Sequence, residues 1–110
     1  MRIVFPTKDN LSYISKTSEN FEDAVYLTVL NVKGQNIIEV ETFKNHHYND
    51  ELEMIKEFKD NKFKVLMVPN EDLLPLDKLK EEGISIYKDS SSKPVLNIFS
   101  EFVQDKLVKL

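Results

Sequence analysis

The chain has 110 residues, of which 41% are apolar and 31% are charged, and its formal net charge at pH 7 is −4. This length and this balance are typical of one globular domain, and they exclude the charge-rich, core-poor composition of a disordered chain. The negative net charge opposes contact with nucleic-acid phosphates and anionic membranes, so we expect neither as a partner.

The chain contains no cysteine. This excludes disulfides, thiolate nucleophiles and metal sites built on the chain's own thiolates, so that any metal would use histidine, carboxylate, methionine or backbone ligands. No apolar run is long enough to span a bilayer, and the first residues lead into a strand pattern rather than a signal peptide. We therefore expect a cytoplasmic protein.

The first half of the sequence predicts one strand, a long polar segment and a β-hairpin. Residues 2 to 5 form a short apolar run that Pro6 and Thr7 end. Residues 8 to 23 are mainly polar and show no clear period, and loops of this length in compact domains are usually functional. The segments 24 to 32 and 36 to 43 are rich in β-branched side chains, and the Gly-containing link between them has hairpin length.

The second half predicts three helices alternating with two strands. Leu52, Ile55 and Phe58 recur on one side of a first helix, which Asn49 or Asp50 caps. Strands follow at residues 63 to 68 and 84 to 87, with a second helix between them that begins at Pro75 and ends at Gly83. A last helix opens at Pro94, and one unbroken apolar stripe runs along it, formed by Val95, Ile98, Phe99, Phe102, Val103 and Leu107.

The resulting order, β-β-β-α-β-α-β-α, predicts a three-layer α/β fold with a mixed five-stranded sheet and helices on both faces. We expect residues 1–110 to form a single domain. In open α/β sheets, ligands bind beyond the carboxyl ends of the parallel strands. Pro6-Thr7 and Pro69-Asn70 mark two such ends.

Several short motifs are spread over nearly the whole chain. They are Arg2-Ile3-Val4-Phe5-Pro6-Thr7-Lys8-Asp9, then Ser18-Glu19-Asn20-Phe21-Glu22-Asp23-Ala24 before the hairpin, and Gly83-Ile84-Ser85-Ile86-Tyr87 after the second helix. In this order they resemble the dinitrogenase iron-molybdenum cofactor biosynthesis family, the NifX/NafY-like domain. The resemblance implies a ribonuclease-H-like fold and a carrier of a metal cluster rather than an enzyme. Asn20 stands where the family has a characteristic histidine, and Glu22 where it has glycine.

The resemblance also implies a ligand site in the loop after the first strand, where backbone and hydroxyl groups would contact an iron-molybdenum or related metal-sulfur cluster. The candidate residues are Thr7, Asp9, Ser12, Ser18, Asn20 and Phe21. His46 and His47 would replace the missing histidine as metal ligands, and His47 shares a helix face with Glu51 if the first helix starts early. The alternative is that both histidines are solvated and that Asp9 serves a turn.

The residues give little support for catalysis. Both histidines fall in one segment, with no spacing that ties them to an activated serine, and the first strand carries no carboxylate for two-metal nuclease chemistry. The leading hypothesis is a non-enzymatic binding protein that holds a metal cluster or another anionic ligand at the carboxyl edge of the sheet. The alternative is an interaction module that has lost the cofactor and binds a protein partner or forms a homodimer.

Overall fold

The computed structural model describes residues 1–46, 50–69, 74–89 and 92–110. Within these ranges the chain forms one mixed sheet with six strands, which are β1 (Arg2–Thr7), β2 (Tyr26–Lys33), β3 (Asn36–Lys44), β4 (Val65–Val68), β5 (Ser85–Lys88) and β6 (Val108–Lys109). The strands lie side by side in the order β3-β2-β1-β4-β5-β6. β1, β4 and β5 are parallel, whereas β2 and β6 run antiparallel to their neighbours.

Three α-helices of the described ranges cover the two faces of this sheet: α1 (Glu51–Asp60), α2 (Leu76–Glu81) and α3 (Val95–Val103). α1 and α2 bury Phe58 and Leu79 against one face. α3 buries Ile98 against the other face. None of the helices in the described part of the chain is long and apolar enough to cross a membrane. The protein thus has the predicted three-layer α/β architecture, with one apolar core on each side of the sheet.

Local sequence signals account for several boundaries. Gly34, in the turn between β2 and β3, has a φ of +63°, a left-handed conformation that glycine adopts at little steric cost. The Asp50 carboxylate accepts the backbone N–H of Glu53 at 2.8 Å and caps α1. Pro75 precedes α2, and Gly83, with a φ of +82°, follows its end. The hairpin, the cap and the second helix are therefore confirmed.

The C-terminal region differs from the prediction. The last helix ends at Val103 rather than reaching Leu107, and Asp105 takes a left-handed φ of +58°, which aspartate tolerates better than most residues. The chain then turns back, and Val108 pairs with Lys88 in β5. The described sheet therefore has six strands instead of the predicted five.

The buried side of α1 also differs from the prediction. Leu52 is 72% exposed and takes no part in the core. Met54, Ile55 and Phe58 are the buried residues of this helix. Because α1 begins only at Glu51, Leu52 lies in its first turn, on the side that faces away from the sheet.

Candidate functional site

A cleft of about 520 Å³ opens at the carboxyl edge of the sheet, on the side that α1 and α2 cover. Its lining comes from the end of the long loop, from the segment after β3, from the start of α1 and from the segment before α2. We call it the first cleft, and its lining residues include Phe21, Glu22, Asp23, Asn45, His46 and Asp50. Its position agrees with the general preference of ligands for this edge.

The long loop between β1 and β2 passes from one face of the sheet to the other. Its 3-10 turn, Ser12–Ile14, contacts α3. Phe21, near the other end of the loop, packs into the core beneath α1 and α2. Ser12 and Phe21 therefore lie on opposite sides of the sheet, and the structure does not bring all the predicted loop residues to one site.

Two of the predicted ligand contacts are buried hydroxyl groups that bond within the chain. The Thr7 Oγ1 atom lies 2.9 Å from Thr28 Oγ1 and donates to the carbonyl of Asp9 at 3.1 Å. The Ser18 hydroxyl donates to the carbonyl of Asn20 at 2.6 Å. Thr7 is 0% exposed and Ser18 is 1% exposed, so both hydroxyl groups fix the path of the loop.

Two further predicted residues hold turns. The Asp9 carboxylate accepts the backbone N–H of Lys16 at 3.3 Å. The Asn20 side chain accepts the backbone N–H of Asp23 and donates to the Asp23 carboxylate, each at 2.7 Å. At the position where the family pattern has its histidine, the side chain of this protein is thus engaged in a local turn.

Among the described residues, Phe21 and His46 are the predicted site residues that line the first cleft. His46 is exposed, whereas Phe21 is 6% exposed. His47 lies outside the described residues. Its predicted helical pairing with Glu51 required an early helix start, and α1 begins at Glu51 with Asp50 as its cap.

The first cleft is rich in carboxylates. Glu22, Asp23, Asp50 and Glu51 all line it. The Lys78 ammonium donates a hydrogen bond to the Glu51 carboxylate at 2.6 Å. This hydrogen bond and the negative charge of Glu51 raise the pKa of Lys78. Within the described ranges, no group of three or more histidine or acidic side chains is placed to hold a metal ion. The cleft therefore presents negative charge rather than a closed metal cage.

Asn45 shapes the first cleft and was missed by the sequence prediction. Its side-chain amide donates to the carbonyls of Phe21 and Ala24 at 3.0 and 2.9 Å. These bonds join the segment after β3 to the end of the long loop. Its Oδ1 atom is buried and has no hydrogen-bond partner among the described residues. An asparagine just beyond a strand is too common in turns for sequence alone to single it out.

A second cleft, of about 330 Å³, lies at the carboxyl end of β5 beside α3. Asp89 lines it and is only 6% exposed, and neither carboxylate oxygen has a hydrogen-bond partner within the described ranges. Burial raises the pKa of Asp89 to about 7, a shift that Lys93 opposes and Glu101 reinforces. Asp89 was not singled out by the sequence prediction, because nothing in its local sequence indicates that it is buried.

The fold and the two clefts define a class, that of small three-layer α/β proteins with ligand-sized openings at the carboxyl edge of a mixed sheet. No family model and no curated protein matches the sequence. Solved structures do match it over nearly its whole length. The apo form of the orange protein from Desulfovibrio gigas has a TM-score of 0.80 at 13% identity, covering 99% of this chain and 92% of that one.

Two other similar structures are of proteins whose descriptions relate them to nitrogenase. A Thermotoga protein of the DUF35 family, described as a candidate NifB protein, has a TM-score of 0.77 at 19% identity and covers 99% of this chain and 92% of its own. A Methanocaldococcus jannaschii protein, described as a candidate dinitrogenase, has a TM-score of 0.73 at 17% identity with 100% and 94% coverage. At these identities the likeness establishes a shared fold.

Proposed function

We propose that this protein is a non-enzymatic binding protein of the NifX/NafY-like kind and that its ligand occupies the first cleft. The observation that carries the proposal is the cleft itself, which lies at the carboxyl edge between His46 and the end of the loop that resembles the family's ligand loop. The similarity to structures described as candidate NifB and dinitrogenase proteins supports a cluster-related role. The order β3-β2-β1-β4-β5 supports a ribonuclease-H-like motif to which β6 is added.

The donor groups of the first cleft favour a ligand that exposes metal ions to them, such as an iron-molybdenum or related metal-sulfur cluster. Carboxylates repel a free oxyanion but are good ligands for iron and similar ions, as is imidazole. Asp23 and Asp50 already accept hydrogen bonds from the chain. Glu22 and His46 line the cleft as well, and they are the donors that we assign to the metal.

Anaerobic reconstitution tests this function. The purified protein is incubated with iron, sulfide and molybdate, desalted, and assayed for bound metal. We expect the wild type to retain stoichiometric metal and the double variant His46→Ala/His47→Ala to lose most of it. Asn97→Ala, on the exposed surface of α3, is the matched control and should retain metal as the wild type does. Metal far below stoichiometric in the wild type, or equal metal in the histidine variant, contradicts the proposal.

Restoring the family's histidine gives a second test of the same site. Asn20→His places an imidazole beside the first cleft but breaks the bonds between Asn20 and Asp23. Asn20→Ala breaks the same bonds without adding a ligand and is therefore the control. We expect Asn20→His to retain more metal than Asn20→Ala. Equal retention would argue that the end of the loop does not face the ligand.

A second candidate function, a module that binds a protein partner or a second copy of itself, is favoured by the edge of the sheet. β3 is one of the two edge strands of the described sheet, and its Ile38 side chain is 66% exposed. Such an edge can pair with a strand from another chain. Light scattering over a range of concentrations should then detect a dimer that Ile38→Lys abolishes. A monomer at every concentration contradicts self-association through this edge.

A further inference from the structure

The second cleft has a charge arrangement opposite to that of the first. Lys88, Lys93 and Lys106 line it, together with Asp89 and Glu101. Lys93 and Glu101 form an ion pair at 3.0 Å. When Asp89 is uncharged, the described lining of the second cleft contains three lysines and one ionised glutamate, which gives it a net charge of +2. The cleft then attracts anions, in contrast to the carboxylate-rich first cleft.

Asp89 is placed so that it can lose its charge without breaking a bond. Its side chain is buried and no described residue donates a hydrogen bond to it, so nothing within the described ranges holds it as a carboxylate. Its backbone N–H donates to the carbonyl of Val68 at 2.9 Å, which fixes the residue between the ends of β4 and β5. A carboxyl group without donors in such a setting favours its neutral form.

We propose that the second cleft binds a small oxyanion and that Asp89 takes up a proton as the anion binds. The lysine side chains contact the anion, while Asp89, whose oxygens are buried, acts through its charge rather than by contact. In its ionised form Asp89 lowers the positive charge of the cleft and repels the anion. Proton uptake removes that repulsion, so protonation and anion binding favour each other.

A metal cation fits the same cleft less well. Among the described lining residues Glu101 is the one other carboxylate, and it is already paired with Lys93. The remaining charged groups in that lining are Lys88 and Lys106, which repel a cation. Because the pKa of Asp89 is about 7, the change in its protonation, and with it the change in anion binding, is expected between pH 6 and pH 8.

Sulfate is the probe of choice because its charge stays constant between pH 6 and pH 8. A titration followed by amide NMR, with ionic strength held constant by sodium chloride, should shift the signals of Lys88, Lys93 and Lys106 in a saturable way. A group with a pKa of about 7 is mainly protonated at pH 6 and mainly ionised at pH 8. We therefore expect binding to be up to about tenfold tighter at pH 6 than at pH 8.

Two pairs of variants separate the roles of the residues. Asp89→Asn should give tight binding at both pH values, whereas Asp105→Asn, an exposed aspartate just after α3, should keep the pH dependence of the wild type. Lys106→Ala should weaken binding, and Lys33→Ala, at the end of β2, should not.

The proposal is overturned if the shifts do not saturate, if they spread equally over exposed lysines elsewhere, or if Asp89→Asn keeps the wild-type pH dependence. Each of these outcomes leaves metal retention in the first cleft unaffected, so the two sites can fail independently.

Discussion

In the first cleft most of the described polar side chains bond to the chain itself, whereas in the second cleft a buried carboxylate has no described partner. Asp50 caps α1, and Asn45 joins two segments of the first cleft. Asp89, by contrast, is buried without a donor among the described residues. Residues of the first cleft therefore stabilise the fold as well as line the site, while Asp89 lowers stability whenever it is charged.

Of the substitutions that test this contrast, Asp89→Asn should have the greatest effect, which is on the pH dependence of the free energy of unfolding. The pKa of Asp89 rises from its ordinary value of 3.8 to about 7 in the folded chain, so the folded state binds more protons than the unfolded state between these values. Stability from this group is therefore complete at low pH and is lost as the pH rises through about 7. The difference between the two pKa values corresponds to a change of at most about 4 kcal/mol in the free energy of unfolding.

Urea unfolding at pH 5 and at pH 8 measures this effect. Asp89→Asn should raise stability at pH 8 relative to the wild type and should raise it less at pH 5, where only part of the loss has occurred. Asp105→Asn, which alters an exposed carboxylate, is the control and should keep the wild-type difference in stability between the two pH values. A wild-type protein whose stability does not fall between pH 5 and pH 8 would contradict the contrast between the two clefts.

Asn45→Ala should lower the free energy of unfolding, whereas Asp89→Asn should raise it at pH 8. It removes two hydrogen bonds and leaves the carbonyl of Ala24 without its described donor, whereas the carbonyl of Phe21 still accepts the backbone N–H of Ala24. We expect a loss of about 1–3 kcal/mol in the free energy of unfolding. Asn97→Ala, on the exposed side of α3, should change stability far less. If both substitutions have equal effects, Asn45 does not join the two segments as the structure indicates.

Asp50→Ala should destabilise α1 by about 1 kcal/mol because the substitution removes the side-chain acceptor for the Glu53 N–H. The control is Asp60→Ala at the other end of the same helix, where a negative charge is unfavourable to the helix dipole. Thermal unfolding should show a lower midpoint for Asp50→Ala and an unchanged or slightly higher one for Asp60→Ala. The reverse order would contradict the assignment of the cap.

Glu51→Gln should have the smallest effect on stability. The ion pair with Lys78 is about half exposed on both sides, and such pairs contribute little in water. The pKa of Lys78, which the pair raises, should fall toward its ordinary value in the variant. NMR titration of the lysine ammonium group would detect this change, and an unaltered pKa would show that the pair is not formed in solution.

Much of the fold could be predicted because its signals are local. Gly34 marks the hairpin, and Pro75 and Gly83 bound α2 through backbone preferences that act within a few residues. β6 could not be predicted in the same way. It depends on a left-handed turn at Asp105 and on pairing with Lys88, which is distant in sequence.

The candidate site could be predicted only in part. The sequence pointed to the carboxyl edge and to His46, which lines the first cleft, because strand ends and histidines are visible in sequence. Thr7 and Asn20 were predicted as ligand contacts, and the structure shows that their polar atoms bond to other residues of the chain. Sequence cannot distinguish these roles, because a hydroxyl or amide group suits a turn as well as a ligand. The burial of Asp89 depends on the packing of α3 and β6 around it.

Amide NMR spectra of the protein, recorded before and after anaerobic reconstitution with iron, sulfide and molybdate, test whether the first cleft is the ligand site. We expect signals of residues 21 to 23, Asn45 and His46 to shift or broaden, while those of Lys88 and Lys93 at the second cleft stay unchanged. Changes confined to the second cleft, or spectra without any change, would show that the ligand does not occupy the first cleft.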